Sequence, residues 1–180
     1  MKFELPFEEN LYREQVKLTF KIAWEKYLSE TKKTGIIALI LIAIGIIILY
    51  GEGNVGGLFV VVGIVLIVSA SMRLNKYNDA KKTTENISSE NILKWKENPI
   101  SIWEFEEDYF RFKFYGGDYK INWDNFKYYN VVDTTLFFGF RENGNWYSLS
   151  ESELGKENFQ KVAEFVNSKI KPATNSGFAQ

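Results

Sequence analysis

The chain has 180 residues, a formal net charge of −1, and neither cysteine nor histidine. The near-neutral charge offers no bulk electrostatic support for a nucleic-acid partner. The missing cysteines exclude disulfides and thiolate chemistry, and the missing histidines remove the commonest general base and metal ligand.

Residues 1–33 form an N-terminal amphipathic segment that supports two interpretations. Residues 21–30 are good helix formers and lead directly into an apolar run, so we predict a helix over residues 9–33. Its aromatic side chains either lie at a lipid headgroup level or pack against a soluble domain. The competing strand interpretation rests on the alternation of Val16, Leu18, Phe20, Ile22 and Trp24.

Two charge-free apolar runs, residues 35–50 and 55–72, follow each other with only a short loop between them. A helix needs about 20 apolar residues to cross the hydrocarbon core of a bilayer. Charge-free runs of this length are rare in soluble cores. The sequence therefore predicts a transmembrane hairpin over residues 34–73, with the lipid bilayer as its partner.

The cations that flank the hairpin predict its orientation. They are Lys26, Lys32 and Lys33 before the first run, and Arg73, Lys76, Lys81 and Lys82 after the second. The loop carries only Glu52. Because positive charge favours the cytoplasmic side, we expect a multi-pass protein of the cell (inner or plasma) membrane with both termini in the cytoplasm.

Small residues recur every seven positions in both apolar runs. They are Ala38 and Gly45 in the first, and Gly56, Gly63 and Ala70 in the second. Such a stripe lets helix backbones approach closely, although a high background of glycine and alanine is also ordinary in membrane helices. Neither run holds an ionisable residue, which argues against a transporter or pump.

Residues 74–98 read as a cytoplasmic stalk and linker. The second helix is expected to continue to residue 82, and the polar stretch 83–91 predicts a break. A short helix over residues 92–97 would then end at Asn98-Pro99.

From residue 100 onward, apolar residues recur with a period of two. Phe110, Phe112 and Phe114 alternate with charged residues, and Gly116-Gly117 predicts a tight hairpin. Further strands are expected over residues 118–123, 126–132, 135–141 and 146–149, with Asn143-Gly144 as another hairpin turn.

An amphipathic helix over residues 156–171 closes the predicted domain, which spans residues 99–172. The residues on its apolar face are Phe159, Val162, Ala163, Val166 and Ile170. Residues 173–180 are predicted to be disordered. The predicted fold class is an α+β membrane protein: a two-helix transmembrane hairpin, then a small antiparallel β meander capped by a C-terminal helix, as in pleckstrin-homology-like (PH-like) folds.

This order of elements, with the run Ile121-Asn122-Trp123-Asp124-Asn125-Phe126 in the meander, resembles the YcxB-like family of bacterial membrane proteins. The resemblance rests mainly on residues 105–170. It implies this architecture and no particular biochemical activity.

The sequence argues against a phosphoinositide site in the predicted domain. Residues 99–172 carry nine Lys and Arg against twelve Asp and Glu, a net charge of −3. The first turn reads Glu106-Glu107-Asp108, which repels phosphate. A basic stripe, Arg111, Lys113 and Lys120, is best explained as a solvated sheet face. The phenylalanines are expected in the core, and Trp123 and Trp146 in the core or at its rim.

We find no catalytic, cofactor-binding or metal-binding constellation, and predict that the protein is not an enzyme. The favoured function is a membrane-anchored interaction or regulatory module that binds a protein partner or forms a homo-oligomer, with no nucleic acid. The alternatives are a membrane-surface enzyme using two convergent carboxylates, and a subunit of an oligomeric membrane assembly.

Overall fold

A computed structural model describes residues 1–140 and 146–170 of the chain. It has the α+β layout expected from the sequence, with two long apolar helices, antiparallel sheets and a C-terminal helix. The residues group into two compact units. We call residues 19–87 the hairpin unit, and residues 1–18 with the described residues from Ser88 onward the sheet unit.

The two long helices are α1 (Glu9–Tyr50) and α2 (Gly56–Glu97), each of 42 residues. Both are long and apolar enough to cross a membrane. The predicted helical start at residue 9 is confirmed. The predicted break over residues 83–91 is wrong, because α2 runs through it without interruption. The hydroxyls of Thr83 and Thr84 donate to carbonyls four residues earlier, so these polar residues fit within the helix.

Within the hairpin unit, the helices pack on the small residues that the sequence singled out. A Cβ atom on Gly45 would lie 2.7 Å from the carbonyl oxygen of Gly56, and one on Gly63 would lie 2.9 Å from that of Ala38. Ala38 is fully buried. The rings of Phe20 and Trp24 contact Tyr77 of α2. Only small residues allow backbones this close.

The sheet unit contains two antiparallel sheets. One has the order β1-β2-β3-β4 and the other the order β5-β6-β7. The strands are β1 (Lys2–Pro6), β2 (Ile100–Phe105), β3 (Tyr109–Phe114), β4 (Gly117–Asn122), β5 (Tyr128–Val132), β6 (Thr135–Gly139) and β7 (Trp146–Ser150). Two helices follow: the short α3 (Glu151–Leu154) and the longer, C-terminal α4 (Lys156–Lys169).

Aromatic rings dominate the core of the sheet unit. Phe105, Phe110 and Phe138 are almost completely buried and contact one another edge-on or tilted. Of the predicted apolar face of the last helix, four residues are buried, namely Phe159, Val162, Val166 and Ile170. The amphipathic helix therefore covers the sheet core as its periodicity predicts.

Strand β1 was not among the predicted elements. It pairs antiparallel with β2, with Leu5 opposite Ser101, and Leu5 is buried in the core. The sheet thus extends the predicted 99–172 domain by a strand from the other end of the chain. A strand of only five residues that ends in a proline has too few alternating positions to be recognised from the sequence.

The predicted Gly116-Gly117 turn lies one residue earlier than expected: Phe114 of β3 pairs with Gly117 of β4, so the turn residues are Tyr115 and Gly116. Gly117, the first residue of β4, adopts φ +148°, which a side chain would strain, and Asp133 adopts φ +53° between β5 and β6. The predicted Asn143-Gly144 turn and the predicted disordered tail, residues 173–180, lie outside the described residues.

Candidate functional site

A cavity of about 260 Å³ lies within the sheet unit. It is bordered by the segment before α1, the first turns of that helix, the end of α2, and strands β2, β3 and β7. Among the described residues that border it, nine are aromatic: Phe7, Tyr12, Trp95, Trp103, Phe112, Phe114, Tyr115, Trp146 and Tyr147. Its polar side chains are Glu8, Gln15, Asn91, Ser101, Ser148 and Glu153. We call this cavity the aromatic pocket.

One end of the aromatic pocket is organised around the carboxylate of Glu153. The side-chain nitrogen of Gln15 donates to its Oε2 at 2.7 Å. The backbone N–H and the hydroxyl of Ser150 donate to the same oxygen at 2.7 and 3.0 Å. Ser148 donates in turn to Oε1 of Gln15 at 3.1 Å. This chain of bonds holds the carboxylate and the amide in fixed orientations.

The two bonds from Ser150 to Glu153 arise from local sequence. Ser150 precedes α3 and Glu153 is its third residue, and the two form a reciprocal capping box. Burial raises the pKa of Glu153 above its usual range, although the hydrogen bonds from Ser150 and Gln15 partly oppose this rise. The three donors that the structure describes are neutral, so they leave the negative charge of the ionised carboxylate uncompensated.

The other end of the aromatic pocket is held by an amide between two phenols. Tyr115 donates its hydroxyl to Oδ1 of Asn91 at 3.0 Å, and the Asn91 side-chain nitrogen donates to the Tyr12 oxygen at 3.4 Å. Burial, followed by the proximity of Tyr12, raises the pKa of Tyr115. The Tyr115 phenol therefore stays protonated at neutral pH and serves as a neutral polar group.

Trp95 forms an aromatic wall at this end. Its ring stacks on Phe7 with centroids 5.3 Å apart and planes within 3° of parallel. The Tyr115 ring meets it edge-on at 5.1 Å, and the Phe114 ring is tilted at 5.5 Å. Such contacts fix the orientation of the indole. The arrangement sets aromatic rings and oriented polar atoms around the cavity, which suits binding.

The residues singled out from the sequence lie mostly elsewhere. Arg111 of the basic stripe donates to Glu104 and Asp118 across the sheet, so it is engaged in ion pairs. In the acidic turn, Glu107 pairs with Lys169 of α4. Trp123 is buried in the core, as expected. Trp146 is partly buried and borders the aromatic pocket, so its assignment to the core or its rim stays a prediction.

Sequence reasoning missed the polar residues of the aromatic pocket. Gln15, Asn91 and Glu153 come from three separate parts of the chain, and no spacing rule joins them. One signal was readable: Ser150-x-x-Glu153 is a capping-box pattern immediately before a helix. The pattern predicts that Ser150 donates to the Glu153 carboxylate, but it does not predict that Glu153 borders a cavity.

Comparison of the chain with protein-family models, with curated proteins and with solved structures finds no match. The resemblance to the YcxB-like family therefore stays a prediction.

Proposed function

We propose that this protein is a membrane-anchored interaction module whose sheet unit binds a small ligand, or a side chain of a partner, in the aromatic pocket. The observation that carries the proposal is the pocket itself, with aromatic walls and a few fixed polar groups, as is typical of ligand sites. At about 260 Å³ it suits a single small group.

The membrane anchor is supported by the surface of the hairpin unit. Large aliphatic side chains are exposed along both helices; Ile47 and Leu58, for example, are 70% and 64% exposed. Contiguous exposed apolar surface of this kind marks contact with lipid or protein. We propose that residues 35–50 and 55–72 cross the cell membrane. We also propose that residues 99–172 form a PH-like domain of the YcxB type in the cytoplasm.

The enzyme alternative has one observation in its favour. Glu8 and Glu153 both border the aromatic pocket, and a site with two carboxylates is what acid–base catalysis would require. Three donors converge on Oε2 of Glu153, however, and two of them complete a helix cap. This engagement suits a fixed negative charge better than a proton shuttle, so binding is the function that we propose.

Site-specific photo-crosslinking in cells tests the proposal. The photoreactive residue p-benzoylphenylalanine replaces Tyr115, which borders the aromatic pocket, in the full chain. The matched control replaces Tyr119, which is 46% exposed on β4 and does not border it. We expect covalent adducts from position 115 that position 119 does not form. No adduct at position 115, or the same adducts from both positions, would contradict the proposal.

A further inference from the structure

The charged side chains that the structure describes around the aromatic pocket are all carboxylates. Two carboxylates, Glu8 and Glu153, border it, and the described residues that border it include no lysine or arginine. Glu153 is held by neutral donors, and no described cation lies within ion-pair distance of it. These two carboxylates would attract a cationic group.

The walls favour the same chemistry. Trp95, Tyr115 and Phe114 meet at one end of the aromatic pocket, where their ring planes lie at steep or tilted angles to one another. Aromatic rings pack favourably against the methyl and methylene groups of an organic cation, whose charge can then lie toward the carboxylates. A small inorganic ion would gain little from these rings, whereas an organic cation can use both the rings and the carboxylates.

We propose that the aromatic pocket binds an organic cation, an ammonium or guanidinium group, with its charge facing Glu8 and Glu153 and its carbon atoms against the aromatic walls. This inference rests on the proposed binding function and names its ligand class. Such a group could belong to a free small amine or to a lysine or arginine side chain of a partner protein.

The raised pKa of Glu153 is consistent with this assignment. Burial without a described cationic partner raises it, and a bound cation would lower it again. Binding should therefore weaken as the pH falls through the raised pKa, because the protonated carboxyl no longer attracts the cation. The nearby charge of Glu8 adds to the rise in the pKa of Glu153.

Ligand titration of the full chain in detergent micelles tests the proposal. The protein is labelled with 5-fluorotryptophan, and its five ¹⁹F resonances are assigned by Trp→Phe substitution. The probes are choline chloride for a free amine, and N-acetyl-argininamide and N-acetyl-lysinamide for side chains, at constant ionic strength. We expect at least one of these cations to shift the Trp95 resonance saturably while Trp24, in the hairpin unit, stays unchanged.

Neutral analogues of the same shape supply the decisive control. They are 3,3-dimethyl-1-butanol for choline and N-acetyl-citrullinamide for the arginine derivative. We expect no saturable shift of Trp95 with either. Equal shifts from charged and neutral partners would overturn the proposal, as would the absence of a saturable shift with all three cations.

Substitutions of Glu8 and Glu153 test whether these two carboxylates bind the cation. Glu8→Gln should weaken cation binding about 2- to 5-fold, as for a solvent-facing charge. Glu153→Gln keeps a capping-box acceptor and should weaken binding by about tenfold or more, because this carboxylate is more deeply buried. Glu164→Gln on the exposed side of α4 is the matched control and should leave affinity unchanged. If Glu153→Gln fails to fold, the contrast between Glu8→Gln and Glu164→Gln decides.

The crosslinking and titration experiments can contradict the proposed function and the proposed ligand class independently of each other. Adducts at position 115 in cells without cation binding in the titration would remove the cation assignment alone. Cation binding in the titration without adducts in cells would remove the interaction function and leave the pocket chemistry standing.

Discussion

Single glycines in the hairpin unit lie where the two helix backbones come together. A Cβ atom on Gly56 would lie 2.8 Å from the backbone nitrogen of Leu49, whereas one on Gly57 would meet nothing within 4 Å. Neighbouring positions of one helix thus differ completely in their tolerance of a methyl group. The difference follows from which side of α2 faces α1.

We expect Gly56→Ala to destabilise the hairpin by about 1–3 kcal/mol, as overpacking of a close contact does. The free energy of unfolding in detergent micelles measures it. Gly57→Ala is the matched control and should be neutral or slightly stabilising, because alanine is the better helix former. Equal effects of the two substitutions would contradict the close approach.

Glu153 makes the stability of the sheet unit depend on pH. Burial raises its pKa, so between the ordinary glutamate pKa and the raised value the folded chain binds more protons than the unfolded chain. Stability contributed at this residue therefore falls as the pH rises through that window. A carboxylate whose pKa is lowered, such as Glu157 beside Lys161, gives the opposite sign.

The Glu153→Gln side chain does not titrate, so we expect the contribution of this residue to the free energy of unfolding to be independent of pH in the variant. The wild type should therefore become less stable relative to the variant as the pH rises from acid to neutral. Urea unfolding of the two proteins at a series of pH values measures the difference. Glu157→Gln is the control, and there the wild type should gain relative to the variant over the acid range. A difference for Glu153→Gln that grows in favour of the wild type with rising pH would contradict the raised pKa.

At the scale of elements, β1 completes the sheet of a domain that otherwise begins about 95 residues later. It makes backbone hydrogen bonds along β2 and places Leu5 in the core. Phe3 packs against the same core, edge-on to Phe105. Without β1, the edge of β2 and part of the aromatic core would be exposed to water.

We therefore expect a fragment of residues 88–172 to be poorly folded alone, and a synthetic peptide of residues 1–18 to restore its structure. Amide chemical-shift dispersion in a ¹⁵N-labelled fragment measures both states. A peptide carrying Leu5→Asp is the control and should fail to restore it, because a charge would enter the core. A fragment that is well dispersed alone and unchanged by the peptide would show that β1 is dispensable.

At the scale of the whole molecule, the distribution of lysine and arginine around the two long helices bears on topology. The loop between them carries one charge, Glu52, and every flanking cation lies before the first apolar run or after the second. From the positive-inside rule we expect the loop outside the cell and the sheet unit in the cytoplasm.

The absence of cysteine makes this topology simple to measure. A membrane-impermeant maleimide should label Glu52→Cys in intact cells, and should label Glu164→Cys only after the cells are permeabilised. Each single-cysteine chain serves as the control for the other. Labelling of Glu164→Cys but not Glu52→Cys in intact cells would reverse the proposed orientation.

The sequence by itself determined the elements whose signals are local. The start of α1 at Glu9, the β3–β4 hairpin and the apolar face of α4 each follow from a few neighbouring residues and a known period, although the hairpin turn lies one residue earlier than predicted. The seven-residue spacing of small residues likewise predicted which side of each helix packs. The polar composition of residues 83–91 led to the wrong prediction of a helix break. Threonine side chains in this stretch instead donate hydrogen bonds back to carbonyls of the same helix.

Only the tertiary structure decided the pairing of β1 with β2 and the composition of the aromatic pocket. Gln15 and Glu153 are 138 positions apart and Asn91 and Tyr115 are 24 apart, yet each pair shares a hydrogen bond. No periodicity connects such residues, because their proximity results from packing the ends of two helices against a sheet. The aromatic residues are visible in the sequence, but which of them fill the core and which face a cavity depends on where the chain leaves a gap.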